Sequence, residues 1–217
     1  MLNVDYLERC NGNSSIEFQS LMENEFDVLI NSFLSDHIGI DEHFLSVQLA
    51  AQLKENLRTL DIDRQFVPAG IGNKDIYIKD SLIRGDRISW LNPENNFPHE
   101  QDFFKLMDRF VWYLNSTCYA GIKAYEFHYA IYDSGSFYKK HLDQFKSDQS
   151  RSFSMIMYLN SDWEKRDGGE LVIYQVDNIQ TISPMNGKCV FFRSYQLEHE
   201  VLITNKTRIS VTGWFKT

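Results

Sequence analysis

Apolar residues recur along this chain with two different periods, and the change between them falls near residue 118. Leu45, Leu49, Leu53, Leu57 and Leu60 return every three or four residues, which predicts a helix within 41–60 carrying one buried stripe. Weaker helical spacing covers 15–33. A stronger stripe of Phe103, Leu106, Met107, Phe110, Val111 and Leu114 follows Pro98, a residue tolerated in a first turn because its missing N–H is not needed there. Past Cys118 the texture becomes short runs of β-branched and aromatic residues at 124–132, 152–159, 170–176, 188–193, 198–203 and 207–216. Clusters of Gly, Asn, Asp and Ser separate them, as turns separate strands. Strands at that spacing predict a sandwich or barrel. Helices first and strands after predict an α+β, mainly β layout, with helices buttressing one face of a double sheet. The segment 66–96 holds Gly70, Gly72 and Gly85 and has little periodicity, so it reads as strand fragments within a long loop of the kind that forms lids. With no internal repeat, residues 1–217 read as a single domain: 1–65 as helical support and 66–217 as a catalytic core.

Composition narrows the function classes. At 43% apolar and 14% aromatic the chain can bury an ordinary core. Its net charge of −8 repels phosphate backbones and anionic headgroups, so neither nucleic acid nor a membrane surface is an expected partner. Cys10, Cys118 and Cys189 are scattered and form no CxxC pair, which argues against a disulfide framework and a thiolate zinc site and suits a reducing compartment. The first ten residues lack a basic start followed by an apolar run, and no stretch approaches the roughly 18 apolar residues of a membrane span. A cytoplasmic protein is expected. Oligomeric state is not legible.

Two of the six histidines, His141 and His199, stand out by their neighbours. His141-Leu142-Asp143 sets an imidazole and a carboxylate at i and i+2, on one side of an extended backbone. Glu198-His199-Glu200-Val201 lies on a later strand. Two imidazoles and one carboxylate on one face of an octahedron leave three positions open, the arrangement of non-haem iron(II) oxygenases. An HxD triplet alone equally fits a surface turn. Arg208 follows nine residues after His199. On a strand, Arg208, Ser210, Thr212 and Trp214 share one face, while Ile209, Val211 and Phe215 share the other. The polar face suits a cavity in which the planar guanidinium meets a carboxylate; an exposed charge on an edge strand is the alternative.

Taken together, His141-x-Asp143, His199 and Arg208 resemble the iron(II)- and 2-oxoglutarate-dependent oxygenases of the prolyl 4-hydroxylase superfamily. Tyr132-Asp-Ser-Gly135-Ser-Phe-Tyr138-Lys-Lys-His141-Leu-Asp143 is similar to that family's approach to its HxD. Arg151-Ser-Phe-Ser-Met-Ile-Met-Tyr158-Leu-Asn160, followed by Gly168-Gly169-Glu170-Leu171, is similar to its next two strands. Ile83-Arg84-Gly85-Asp86-Arg87-Ile88-Ser89-Trp90 resembles the substrate loop of the Egl-nine, protein prolyl hydroxylase, branch. The resemblance covers about residues 66–217. It implies a double-stranded β-helix (jelly-roll), with iron(II) held by the catalytic trio His141, Asp143 and His199. It also implies 2-oxoglutarate bound by Arg208 with Tyr158, Thr212 and Tyr132, O₂ as second co-substrate, and L-ascorbate as a possible reductant. Arg151, Tyr138, Trp214 and Arg84 are implied on the substrate side, and the implied partner is a protein with a target proline. A free-standing catalytic domain is expected, since neither a cysteine-rich zinc module nor a secretory leader is seen. Alternatives of a different class are a catalytically silent module that binds iron, 2-oxoglutarate or a partner, and the same chemistry on a small molecule.

Overall fold

In a computed structural model of the chain, residues 14–70, 82–95, 97–144 and 149–217 are described, without the side chains of 14–24. Cys10, the N-terminal leader reading and the centre of the 66–96 loop lie outside the described residues.

The helices are α1 (Ser14–Asp36), α2 (Val47–Ile62) and α3 (Pro98–Thr117). α2 begins later than its leucine spacing alone indicates, because Ser46 caps it: the hydroxyl accepts from Leu49 N–H at 3.1 Å, satisfying an otherwise orphaned donor. The residues just before it form a strand instead, β1 (Ile38–Asp41). α3 starts at Pro98, as expected.

The remaining strands are β2 (Val67–Pro68), β3 (Arg87–Trp90), β4 (Ala124–Tyr132), β5 (Tyr138–His141), β6 (Arg151–Tyr158), β7 (Leu171–Tyr174), β8 (Ile179–Ile182), β9 (Cys189–Arg193), β10 (Glu198–Val201) and β11 (Arg208–Lys216). They form a major sheet of order β1-β9-β6-β11-β4-β3-β2 and a minor sheet of order β5-β10-β7-β8. All named pairs are antiparallel. This is the double-stranded β-helix, helix-buttressed as the sequence implied.

Period-two alternation in the central strands divides the core in two. Phe127, Tyr129 and Ile131 of β4, Phe153, Met155 and Met157 of β6, and Ile209, Val211 and Phe215 of β11 face the helices. There Phe110 of α3 meets Phe191 at 5.5 Å and Phe215 at 5.6 Å between ring centroids. Each fully buried side chain of this size contributes roughly 1.5–3 kcal/mol, so this layer anchors the fold. Ala130, Tyr132, Ile156 and Tyr158 face the other way and pack with Leu171, Ile173 and Val201 of the minor sheet. The space between the sheets is where polar side chains collect.

Gly213 lets the helix-facing layer close. A Cβ there would lie 2.2 Å from the Glu126 carbonyl oxygen and from the Phe127 ring, so only glycine fits between β11 and β4.

Candidate metal centre and anion pocket

β5 and β10 are neighbours in the minor sheet, and His141 and His199 are direct cross-strand partners. Direct partners project to one face, and the two rings lie 4.3 Å apart. Asp143 follows just beyond the end of β5 and turns back between them. Its Oδ1 lies 3.5 Å from His141 Nε2 and its Oδ2 lies 3.5 Å from His199 Nε2. One ligand atom from each of the three falls within 4.8 Å of the others, close enough to share one ion.

Hydrogen bonds set the chemical form of the trio. His141 Nδ1–H donates to Lys139 O at 2.7 Å, and His199 Nδ1–H donates to Leu197 O at 3.2 Å. Both Nε2 lone pairs are thereby aimed inward, as in metal-binding imidazoles. Ser154 Oγ donates to Asp143 Oδ2 at 2.7 Å and meets Ser194 Oγ at 2.8 Å. Burial pushes the Asp143 carboxyl up, but His199, His141 and the Ser154 hydroxyl outweigh it and hold the group well below the usual carboxylate range. Burial lowers His199 to about 4, against the pull of Asp143. A carboxylate beside a neutral imidazole is the form that binds a divalent metal without first losing a proton. The donor set contains no thiolate and has only three members, so it suits iron with open positions better than a closed structural zinc.

A second, cationic feature lies on the inner face of β11. Arg208 is 1% exposed, and its Nε donates to Gly169 O at 2.9 Å. Its guanidinium lies 4.8 Å from the Tyr132 ring and 5.0 Å from the Tyr158 ring. Among the described residues no carboxylate pairs with it. The Tyr158 hydroxyl beside it is buried, with no hydrogen-bond partner of good geometry among the described residues, and burial pushes it up to about 12 although the neighbouring Arg208 guanidinium opposes this. An unpaired buried cation next to an idle hydroxyl is costly unless an anion completes it. The carboxylate of 2-oxoglutarate fits. Gly169 makes the close approach possible: its φ is +71°, and a Cβ there would meet Thr204 at 2.9 Å and Arg208 Cδ at 3.2 Å.

Tyr132 joins the two features: its ring lies 4.8 Å from the Arg208 guanidinium, and Tyr138 packs against the same buried cluster. Tyr138 in turn stacks on His141 at 3.6 Å and 16°. Arg84 lies 4.2 Å above Tyr138, clamped by Asp86 through bonds of 2.7 and 2.6 Å and by Gly70 O at 3.2 Å. Its neighbours Gly85 and Ile83 exchange backbone hydrogen bonds with Phe137 and Lys139, which fastens this end of the loop to the strand bearing His141. Arg151 lies 3.5 Å over the Trp214 ring, bonds Glu126 at 2.9 Å and reaches Asp143 O at 3.5 Å. Thr212 is on the same inner face, 3.2 Å from Ser210. The sequence-predicted residues therefore gather between the sheets.

Ser154, Asp86 and Glu126 escaped the sequence reading. Ser154 was within reach, since alternation places it on the face of Tyr158; Asp86 and Glu126 depend on partners from other segments.

A family model described as the 2OG-Fe(II) oxygenase superfamily matches residues 127–216. A prolyl-4-hydroxylase structure from Pseudomonas putida is 31% identical, with coverage of 87% of this chain and 96% of that one and a TM-score of 0.77. The chain belongs to the 2OG-Fe(II) oxygenase superfamily, in its prolyl 4-hydroxylase group. A Trichoplax adhaerens prolyl hydroxylase, solved with a peptide fragment of the hypoxia inducible factor oxygen degradation domain, shares the fold at 20% identity. Its TM-score is 0.80, and 93% of each chain is covered. Prolyl 3-hydroxylase OGFOD1 of Xenopus laevis is 36% identical over 78 residues, 31% of this chain and 15% of that protein. The curated relatives are matched over only 14% to 20% of their own lengths.

Proposed function

We propose that residues 1–217 act as one iron(II)- and 2-oxoglutarate-dependent dioxygenase unit that hydroxylates prolyl residues of a protein substrate. The observation that carries this is one inter-sheet space holding a three-donor metal trio and a buried guanidinium without an acidic partner among the described residues. The prolyl substrate is supported by the Pseudomonas putida prolyl-4-hydroxylase and the OGFOD1 relatives.

In this reading His141, Asp143 and His199 hold the iron. Bound there with 2-oxoglutarate and O₂, iron supplies the oxidising power that converts a substrate C–H to C–OH as the co-substrate leaves as succinate and CO₂. Ser154 orients Asp143, Arg208 with Tyr158 grips the distal carboxylate, helped by Thr212, and Tyr132 lies near the co-substrate's metal end. Tyr138, buttressed by Arg84, holds the His141 ring in place and forms the wall on the substrate side. Arg151, held by Glu126, and Trp214 form the opposite wall. L-ascorbate serves as reductant. A cytoplasmic setting without nucleic-acid or membrane partners accords with the net charge of −8. Among the described residues no helix is long and apolar enough to cross a membrane.

The test is succinate release by iron-loaded protein offered proline-containing peptides, with mass spectrometry for a +16 Da change on proline. Stimulation by peptides is expected. If only free amino acids or other small molecules stimulate turnover, the chemistry stands and the protein substrate falls. If 2-oxoglutarate is not consumed under any condition, the chain is a silent binder.

A further inference from the structure

Two buried polar atoms near the Arg151 wall have no part in the reading above. Among the described residues, His128 Nδ1 and Trp214 Nε1 meet no hydrogen-bond partner, although His128 is 3% and Trp214 8% exposed. His128 shares the inner face of β4 with Ala130 and Tyr132, and its register partners are Thr212 on β11 and Trp90 on β3. Its ring is 5.4 Å from Trp214 and 5.0 Å from Trp90. Trp90 is 47% exposed, so this aromatic row runs from solvent into the inter-sheet space. At its inner end Trp214 is the register partner of Ser154, whose hydroxyl holds Asp143. The idle atoms therefore sit in a row of side chains that links exposed Trp90 to Ser154, the residue that holds Asp143.

Their chemistry is complementary. Indole N–H only donates, whereas a neutral imidazole has one donor and one acceptor nitrogen. Burial, reinforced by Arg84, pushes His128 down to about 4, which keeps it neutral. In an extended peptide the N–H and C=O of one residue point to the same side, so a donor and an acceptor side by side match one such residue. Proline has no N–H and cannot satisfy both.

We propose that His128 is a specificity-determining residue that reads the substrate main chain at a non-prolyl residue flanking the target proline. Trp214 Nε1–H donates to that residue's carbonyl, and His128 Nδ1 accepts from its N–H. This rests on the prolyl-peptide reading above.

The test measures binding without turnover. Protein loaded with iron(II) and 2-oxoglutarate is kept anaerobic, and the anisotropy of a labelled proline-centred peptide, selected by succinate release from a fixed-proline library, gives Kd. His128→Phe keeps the ring stack and removes the acceptor; peptide affinity should fall about tenfold, the loss of one neutral hydrogen bond, with 2-oxoglutarate affinity moving less than about twofold. His128→Asn, which has both a donor and an acceptor, should recover most of the loss. N-methylating one flanking residue of the peptide should cost the wild type the same factor and cost the Phe variant nothing further. His128→Met, flexible enough to fill the space, carries the same comparison if the Phe variant does not fold. Unchanged peptide affinity, or losses that multiply for every methylated position, would overturn the proposal. A library yielding no stimulating peptide would instead refute the prolyl reading and take this inference with it.

Discussion

On the helix-facing side of β11, Ile209, Val211 and Phe215 are sealed among phenylalanines and leucines, and Gly213 lets β4 close against them. On the opposite side of the same strand stand Arg208, Ser210, Thr212 and Trp214, where, among the described residues, the buried guanidinium lacks an acidic partner and the indole N–H lacks any. One backbone thus carries two contrary designs. The outer side satisfies every physical preference of a core. The inner side leaves polar groups waiting, and their isolation lowers stability until a ligand completes them. The outer layer supplies the stability that makes the inner deficit tolerable.

The sharpest break of this contrast is His199→Ala. Because outer partners of metal ligands already cost about 10–100-fold, losing a ligand itself should cost more than roughly 100-fold in iron affinity and abolish succinate release. Iron titration and turnover check it, while melting of the metal-free protein should change little. The reverse case is Phe215→Ala, which should lower unfolding free energy by about 3–5 kcal/mol through the cavity it leaves. In that variant the folded fraction should keep wild-type 2-oxoglutarate affinity. Denaturant titration with ligand binding separates the two, and a loss of affinity at full folding would dissolve the distinction between the faces.

Arg208→Leu tests whether the inner side is truly functional. Removing a charge-assisted pair to a carboxylate costs about 2–5 kcal/mol, so the apparent KM for 2-oxoglutarate should rise at least roughly thirtyfold. Since the guanidinium has no acidic partner among the described residues, the melting temperature should not fall. A fall of several degrees would make Arg208 a structural residue. The smallest expected effect belongs to Ser154→Ala, which removes the 2.7 Å bond to Asp143. Iron affinity should drop about 10–100-fold, and an unchanged value would show that Asp143 is oriented by packing alone.

Much of this arrangement is legible in the residue order. The β11 alternation separates Arg208 from Ile209 without coordinates, and the α3 stripe foretells the phenylalanine layer. The short strand β1 is not legible, because four residues carry too little pattern and it exists through a distant partner, β9; at β5 the extended backbone around His141 is legible but its pairing with β10 is not. The resemblance implies Arg84 on the substrate side; that its fork is held by Asp86 and that it lies over the Tyr138 ring comes from the structure alone. His128 looked no different from any other histidine until its strand neighbours were known.

The chain by itself determined the kinds of element, the face each side chain takes along a strand, and the ligand types available for a metal and an anion. Those follow from local periodicity and from the fixed chemistry of each side chain. Only the tertiary structure decided that His141 stands opposite His199, that Asp143 turns between them, and that no acidic side chain within the described residues reaches Arg208. Register between distant strands is set by the packing of whole sheets, so which side chains meet across them is a property of the assembled core.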